Sequence, residues 1–222
     1  MRKIFRVYVL FLLVFFMYGC ASTTQDTRLS PEPLSGSTAQ IKPPKQRKLL
    51  AITGFENKST YSSDKLWDTS SRLLFTNLIE MGYFRVVEWE KMKQLFDWEA
   101  LSTSTLVKNP EKRNEVRKIL LCEYFLTGAV TYFDVSQRAQ VSALSKSKVI
   151  ETTIRVDLLL QDAQTGEYVS AAKGEATERQ EFSGGPLGGR TGSWDPKSAD
   201  RALNNAIHEA LARLTSIYGQ QQ

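Results

Sequence analysis

A sharp change of composition at Cys20 divides this 222-residue chain into a leader and a mature part. The first six residues carry three basic side chains, and they are followed by an uncharged apolar run, VYVLFLLVFFMY, that ends at Gly19. A basic start, an apolar core of about a dozen residues and a small residue before the cut are typical of a secretory signal. We therefore predict that residues 1–19 are a signal peptide.

The cysteine directly after this small residue indicates lipid modification. In bacterial lipoproteins the thiol at this position is acylated, typically with palmitate, and the new N-terminus lies in a membrane. Met17 and Tyr18 differ from the residues usual before such a cysteine, so a simple secretory signal and an uncleaved anchor remain alternatives. An anchor is less favoured because the run is shorter than the roughly 17–25 residues of a spanning helix. Ala21, which follows Cys20, favours sorting to the outer membrane, so we expect a lipid-anchored protein that faces the periplasm.

The charge balance argues against a nucleic-acid partner. The chain has 29 lysine and arginine residues against 24 aspartate and glutamate residues. Without the three basic residues of the leader, 29 becomes 26 and the net charge is only +2. Nucleic-acid binding needs basic residues clustered on one face, and no such cluster is present in the sequence. We expect no nucleic-acid partner.

Removal of the leader and acylation of Cys20 would leave Cys122 without an intramolecular disulfide partner. The thiol lies in an apolar segment, ILLCEYFL. Such a free cysteine usually packs as a small apolar side chain. The context therefore predicts a buried, unreactive thiol.

The mature chain divides into a linker and one domain. Residues 20–46, the lipidated N-terminus and linker, are rich in Ser, Thr, Pro and Gln and cannot bury enough apolar surface to offset the entropy cost of ordering. They are expected to be a flexible tether, or to become ordered against a partner. Residues 47–220 are long enough for one domain with its own core.

Hydrophobic periodicity within this domain predicts the order β-α-β-α-α-β-β-β-α. The predicted strands are Lys48–Phe55, Phe84–Val87, Tyr124–Phe133, Val149–Asp162 and a strand that begins at Glu167. The predicted helices are Leu66–Met81, Glu90–Trp98, Asn109–Leu120 and a helix that begins at Asp195-Pro196. This pattern predicts an α+β fold in which helices pack on a mostly antiparallel sheet of about five strands.

Few residues suggest chemistry. The segment GGPLGGRT at 184–191 loosely fits a phosphate-binding loop, but Arg190 replaces the required lysine and the next helix begins only after Asp195-Pro196. His208 is the only histidine, so a usual zinc site or catalytic triad has no second member. We expect a loop at 184–191, no enzyme activity, no metal and no cofactor.

Trp194 is the best candidate for an interface residue. It lies in a Gly- and Ser-containing loop, whereas the other three tryptophans lie in or near predicted helices, where core packing explains them. Tryptophan is enriched among the residues that dominate binding energy at interfaces. Trp194 is therefore the predicted contact to a partner.

Four segments, taken with the leader and Cys20, resemble the CsgG/HfaB family of outer-membrane lipoproteins. They are LLAITGFENKS, MGYFRVVEWEKMKQLF, CEYFLTGAVTYF and IRVDLLLQDAQTGEYV, and the similarity covers most of residues 48–215. The resemblance implies a CsgG-like periplasmic domain and a ring of lipidated subunits, in which two β-hairpins per subunit join into a transmembrane barrel that exports curli subunits.

The stretches that correspond to these hairpins are Asp134–Lys148 and Lys173–Ser193, and both look short and highly charged. A charged lipid-facing strand is costly. We therefore expect a homo-oligomer that acts with other envelope proteins: a non-catalytic ring subunit, periplasmic or in the outer membrane, which serves export or envelope assembly without a full transmembrane barrel. The linker motivates an alternative, a tethered regulator of the LpoB type that acts on a peptidoglycan synthase.

Overall fold

The computed structural model describes residues 46–61, 66–96, 106, 108–141, 146–184 and 192–220. All described residues belong to one compact unit. Cys20 and almost all of the predicted linker lie outside the described residues, so the signal, lipidation and domain boundaries remain predictions.

The described elements follow the predicted order. They are β1 (Leu49–Asn57), α1 (Leu66–Met81), β2 (Arg85–Val86), α2 (Trp89–Leu95), α3 (Pro110–Leu120), β3 (Tyr124–Val141), β4 (Lys146–Asp162), β5 (Tyr168–Gly184) and α4 (Pro196–Gln220). None of these helices is long and apolar enough to cross a membrane.

The five strands form one sheet in the order β2-β1-β3-β4-β5. Strand β1 pairs in parallel with both β2 and β3, whereas β3, β4 and β5 pair antiparallel. The α+β class is confirmed, but the expected mostly antiparallel sheet is wrong, because the sheet is mixed. The physical reason lies in the connections: helices between β1, β2 and β3 return the chain to the end of the sheet where it started, and crossover connections of this kind make parallel neighbours.

Local signals determine where several helices begin and end. Asn109 caps α3 by accepting a hydrogen bond of 3.0 Å from the Lys112 amide, and Pro110 occupies the first turn, as predicted. Helix α1 ends at Met81, and the next residue, Gly82, has a φ of 64° in the left-handed region that glycine adopts at little cost. These boundaries depend on a few neighbouring residues and are therefore readable from the sequence.

The main core lies between one face of the sheet, here called the inner face, and helices α1 and α4. The predicted apolar stripe of α4 is buried here: Ala202, Leu203, Ala206, Ile207, Ala210, Leu211 and Leu214. Alternating residues of β4 from Ile150 to Leu160 meet this stripe from the sheet. The amphipathic patterns of β4 and α4 therefore match each other across the core.

Helix α4 lies very close to β5 at Gly174. A Cβ atom added there would lie 2.0 Å from the Ala206 carbonyl oxygen and 2.6 Å from the Ala210 amide nitrogen. Both are backbone atoms of α4, so no side-chain rotation can make room. The absence of a side chain at Gly174 allows the helix to rest directly on the strand.

A second, smaller core lies on the opposite face of the sheet, here called the outer face. Helices α2 and α3 contribute Met92 and Val116, which cluster with Ala51, Cys122 and Phe125. The described helices leave the outer face of β4 and β5 uncovered, and many of its side chains are exposed. The outer face of β4 and β5 is therefore accessible to solvent or to a partner protein.

Candidate interaction site

Strands β3, β4 and β5 continue as a three-stranded sheet, here called the strand extension (residues 134–141, 146–153 and 177–184). The start of α4 contacts the base of this extension through Thr152, Glu178 and Gln180. Strand β3 continues to Val141 instead of ending at the predicted Phe133, and it pairs with β4 as far as Lys146. The added part of β3, residues 134–141, carries mainly polar side chains, so its sequence has no clear apolar alternation to reveal a strand. Cross-strand backbone hydrogen bonds form the strands nonetheless.

Ion pairs and hydroxyl contacts cover the outer face of β4 and β5. The Arg155 guanidinium lies 2.6 Å from the Glu175 carboxylate and 5.5 Å from the centre of the Tyr132 ring. One row further along, the Thr153 and Thr177 hydroxyls are 2.9 Å apart. Exposed ion pairs each contribute at most about 1 kcal/mol. Because charged and hydroxyl groups cover this face, it suits contact with water or with a polar protein partner rather than with lipid chains.

Helix α4 protects the middle of the β5 edge. The Glu175 amide donates a 2.8 Å hydrogen bond to the Glu209 carboxylate, and the Lys173 carbonyl accepts a 3.1 Å hydrogen bond from Arg213. Glu209 and Arg213 also pair with each other along the helix. An unpaired strand edge readily adds another strand, and these two side chains prevent that at the centre of β5.

The same edge is open along the strand extension. Backbone groups alternate in direction along a strand, so the outward direction at Glu175 recurs at Thr177, Arg179 and Glu181. No described residue bonds to the outward amides and carbonyls of these three. On the other side, β1 stops pairing with β3 at Asn57, opposite Val130, and the rest of β3 has only β4 as a neighbour. The extension thus has two open edges in the described part of the chain.

Trp194 lies at the start of α4, partly buried against the main core. Its indole N–H donates a 3.0 Å hydrogen bond to the Thr152 hydroxyl, which lies 3.2 Å from the Ser198 hydroxyl. The tryptophan therefore attaches the first turn of α4 to β4 within its own chain. Its predicted contact to a partner remains a prediction.

Among the described residues, the other predicted positions do not come together in a chemical site. Only Gly184 of the 184–191 motif is described, as the last residue of β5, and the rest of the motif lies outside the described part of the chain. His208 is partly buried in α4. The described residues contain no group of three or more candidate metal ligands. The expectations of no enzyme activity, no metal and no cofactor remain untested.

We expect Cys122 to resist alkylation in the folded protein. Its side chain is only 3% exposed, and burial raises the pKa of the thiol to about 12. Because the thiolate is the reactive form, alkylation at pH 8 should be more than about a hundredfold slower in the native protein than in guanidinium. Mass spectrometry after timed iodoacetamide treatment measures both rates, and similar rates would contradict the burial of Cys122.

The same thiol predicts a pH dependence of stability. The unfolded thiol begins to lose its proton near the ordinary value of 9.0, whereas the folded thiol keeps it to about 12. The unfolded state therefore binds fewer protons between these values, and the free energy of unfolding should fall as the pH rises through this range. Urea unfolding at pH 8 and pH 10 tests this, with Cys122→Ala expected to lose part of the difference.

The fold defines a class: an α+β domain in which helical crossovers precede three long antiparallel strands and a C-terminal helix packs on them. The family model described as "Curli production assembly/transport component CsgG" matches residues 35–220. Because this match covers most of the chain, the protein belongs to the CsgG family, and the resemblance found in the sequence is confirmed.

Several solved structures are also similar. Lipoprotein GNA1162 from Neisseria meningitidis is 15% identical, with 66% of this chain and 88% of that chain covered and a TM-score of 0.41. The LpoB C-terminal domain from Salmonella enterica is 16% identical, with 61% and 87% covered and a TM-score of 0.39. PelC from Paraburkholderia phytofirmans, a dodecamer, is 13% identical, with 78% and 92% covered and a TM-score of 0.39. No curated protein sequence matches the chain.

Proposed function

We propose that this protein is a non-catalytic, lipid-anchored subunit of an outer-membrane or periplasmic ring that serves export or envelope assembly. The observation that carries the proposal is the family match over residues 35–220, to a family described as a curli assembly and transport component. Acyl chains on Cys20 hold the N-terminus in the outer membrane, residues 20–46 form the tether, and the folded domain faces the periplasm.

The open edges of the strand extension support self-assembly. Edge β3 of one copy and edge β5 of the next are different surfaces, so pairing them gives a head-to-tail contact that closes into a ring if the rotation per subunit permits. On the outer face, the exposed Arg138 and the partly exposed Glu151 lie 3.8 Å apart. These charged groups could form polar contacts with a second copy that pairs at the edge. Edge pairing would satisfy the outward backbone groups of the extension.

The charges of the extension support attachment by lipid rather than by membrane-crossing strands. Lys146 and Lys148 lie on the inner face, whereas Arg179 and Glu181 lie on the outer face. A basic residue facing lipid at the bilayer midplane costs about 2–4 kcal/mol, and neither face is free of charge. We therefore propose that the protein forms no full transmembrane barrel.

Arg179→Pro tests the edge contact, because it removes an outward N–H that no other described strand uses. Proline is tolerated at strand edges but cannot donate to an added strand. We expect the wild type to be an oligomer in mild detergent and Arg179→Pro to dissociate at least about tenfold more readily, since one lost contact of about 1.4 kcal/mol per interface has this effect. Light scattering with cross-linking measures the mass.

Arg179→Ala is the matched control, because it removes the same side chain and keeps the N–H, and it should assemble like the wild type. A melting temperature close to that of the wild type shows that the proline variant is folded. A wild type that is monomeric at high concentration contradicts the ring. Recovery of a peptidoglycan synthase from envelope extracts by such a monomer would favour the tethered regulator instead.

A further inference from the structure

An open cleft lies where the first turns of α1 and α4 meet the inner face of the sheet, and it is here called the aromatic cleft. Its volume is about 110 Å³. Its walls include Tyr61, Leu66, Phe133, Trp194, Asp200 and Leu203. No sequence motif indicated this site, because its walls come from segments that are far apart in the chain.

Three rings dominate the lining. The Tyr61 and Phe133 rings are stacked, with centroids 4.0 Å apart and planes inclined by 13°. The Trp194 indole N–H already donates to Thr152, so this ring lines the cleft without a free hydrogen-bond donor. The faces of aromatic rings carry partial negative charge and attract cations. The walls therefore suit an apolar group, a cation, or a side chain that combines the two.

The charge of Asp200 indicates which of these three kinds of group fits the cleft best. Asp200 is exposed, it is the one carboxylate among the described lining residues, and no described residue forms an ion pair with it. A carboxylate beside three aromatic rings is complementary to a positive charge.

The size of the cleft limits its ligand. Small-molecule sites usually occupy about 300–1,000 Å³, so the cleft is smaller than a typical site for a cofactor or nucleotide. The cleft is nevertheless several times larger than the volume of about 30 Å³ that one molecule occupies in liquid water. A cleft of this volume suits a single side chain of a partner.

We propose that the aromatic cleft binds a lysine or arginine side chain presented by an exposed segment of a partner protein. The apolar stem of such a side chain packs along Leu66 and Leu203, as long basic side chains do on apolar surfaces. Its charge lies against the rings and the Asp200 carboxylate. This contact is separate from the strand edges and does not require the ring proposed above.

Two fluorescein-labelled peptides of matched shape test the proposal. One is Gly-Lys-Gly-amide with fluorescein on its N-terminus in place of an acetyl cap, and the other replaces lysine by norleucine, which keeps the stem and removes the charge. Fluorescence anisotropy is followed with the full-length protein in an uncharged detergent. We expect the lysine peptide to bind about three- to tenfold more tightly than the norleucine peptide, and a rise in salt concentration should weaken the lysine peptide alone.

Asp200→Asn is expected to bring the two peptides to equal affinity, and Tyr61→Leu is expected to weaken both. Glu167→Gln is the matched control, since it removes an exposed carboxylate at the opposite end of β4 and β5 and should change neither affinity. Melting curves establish that each variant is folded. Equal binding of both peptides to the wild type, no binding of either, or unchanged binding to folded Asp200→Asn would each overturn the proposal.

Discussion

Gly174→Val is expected to destabilise the domain by about 3 kcal/mol or more. A Cβ at this position meets two backbone atoms of α4, at 2.0 Å and 2.6 Å. Helix α4 cannot move away without separating its buried stripe, from Ala202 to Leu214, from the sheet. Urea unfolding of the full-length protein in detergent, followed by circular dichroism, should show a markedly lower midpoint.

Ala171→Val is the matched control for this substitution. Ala171 is exposed on the outer face of the same strand, so a larger side chain finds open space there, and surface substitutions usually change stability by less than about 0.5 kcal/mol. Gly174→Ala should lie between the two variants, since it introduces the same clash with a smaller group. If Gly174→Val unfolds at the wild-type urea concentration, α4 does not rest on β5 as described.

Cys20→Ser is expected to move the protein from the membrane fraction to the soluble envelope fraction. Acyl chains contribute about 0.8 kcal/mol for each buried CH₂ group, and serine offers no thiol to carry them. Because the proposal makes these chains the whole membrane attachment, removing them should release nearly all of the protein. Fractionation with immunoblotting gives the distribution, and intact-mass measurement reports the lipid.

The chain supplies a control in its second cysteine. Cys122 is buried and has no disulfide partner, so Cys122→Ser should keep both the lipid and the membrane location. Retention of folded Cys20→Ser in the membrane would contradict attachment by lipid alone. An intact mass equal to that of the unprocessed chain would contradict cleavage before Cys20.

Sequence patterns predicted the elements whose signals are local. Asn109-Pro110 and Gly82 set helix boundaries through their own backbone preferences and nearest neighbours. The stripe of α4 and the alternation of β4 were equally clear, because each element has one buried face. The domain class and family followed from these segments in order.

The candidate surfaces were much less predictable. In the strand extension, residues 134–141 of β3 carry mainly polar side chains, so they show no clear alternation. The pairing of the extension depends on hydrogen bonds between segments that are distant in the chain. The Glu209–Arg213 pair at helical spacing was visible in the sequence, but its role at the β5 edge was not. The cleft residues Tyr61 and Asp200 become neighbours only through the packing of two helix starts on the sheet.

The sequence by itself determined the α+β class and the faces of β4 and α4, and it alone predicts the division at Cys20. The tertiary structure alone decided that β1 runs parallel to its neighbours, that Gly174 must lack a side chain and that β3 and β5 leave open edges. The physical reason is the range of the interactions. Leaders, caps and amphipathic faces are encoded over a few successive residues, whereas strand pairing and clefts depend on contacts between residues far apart in the chain.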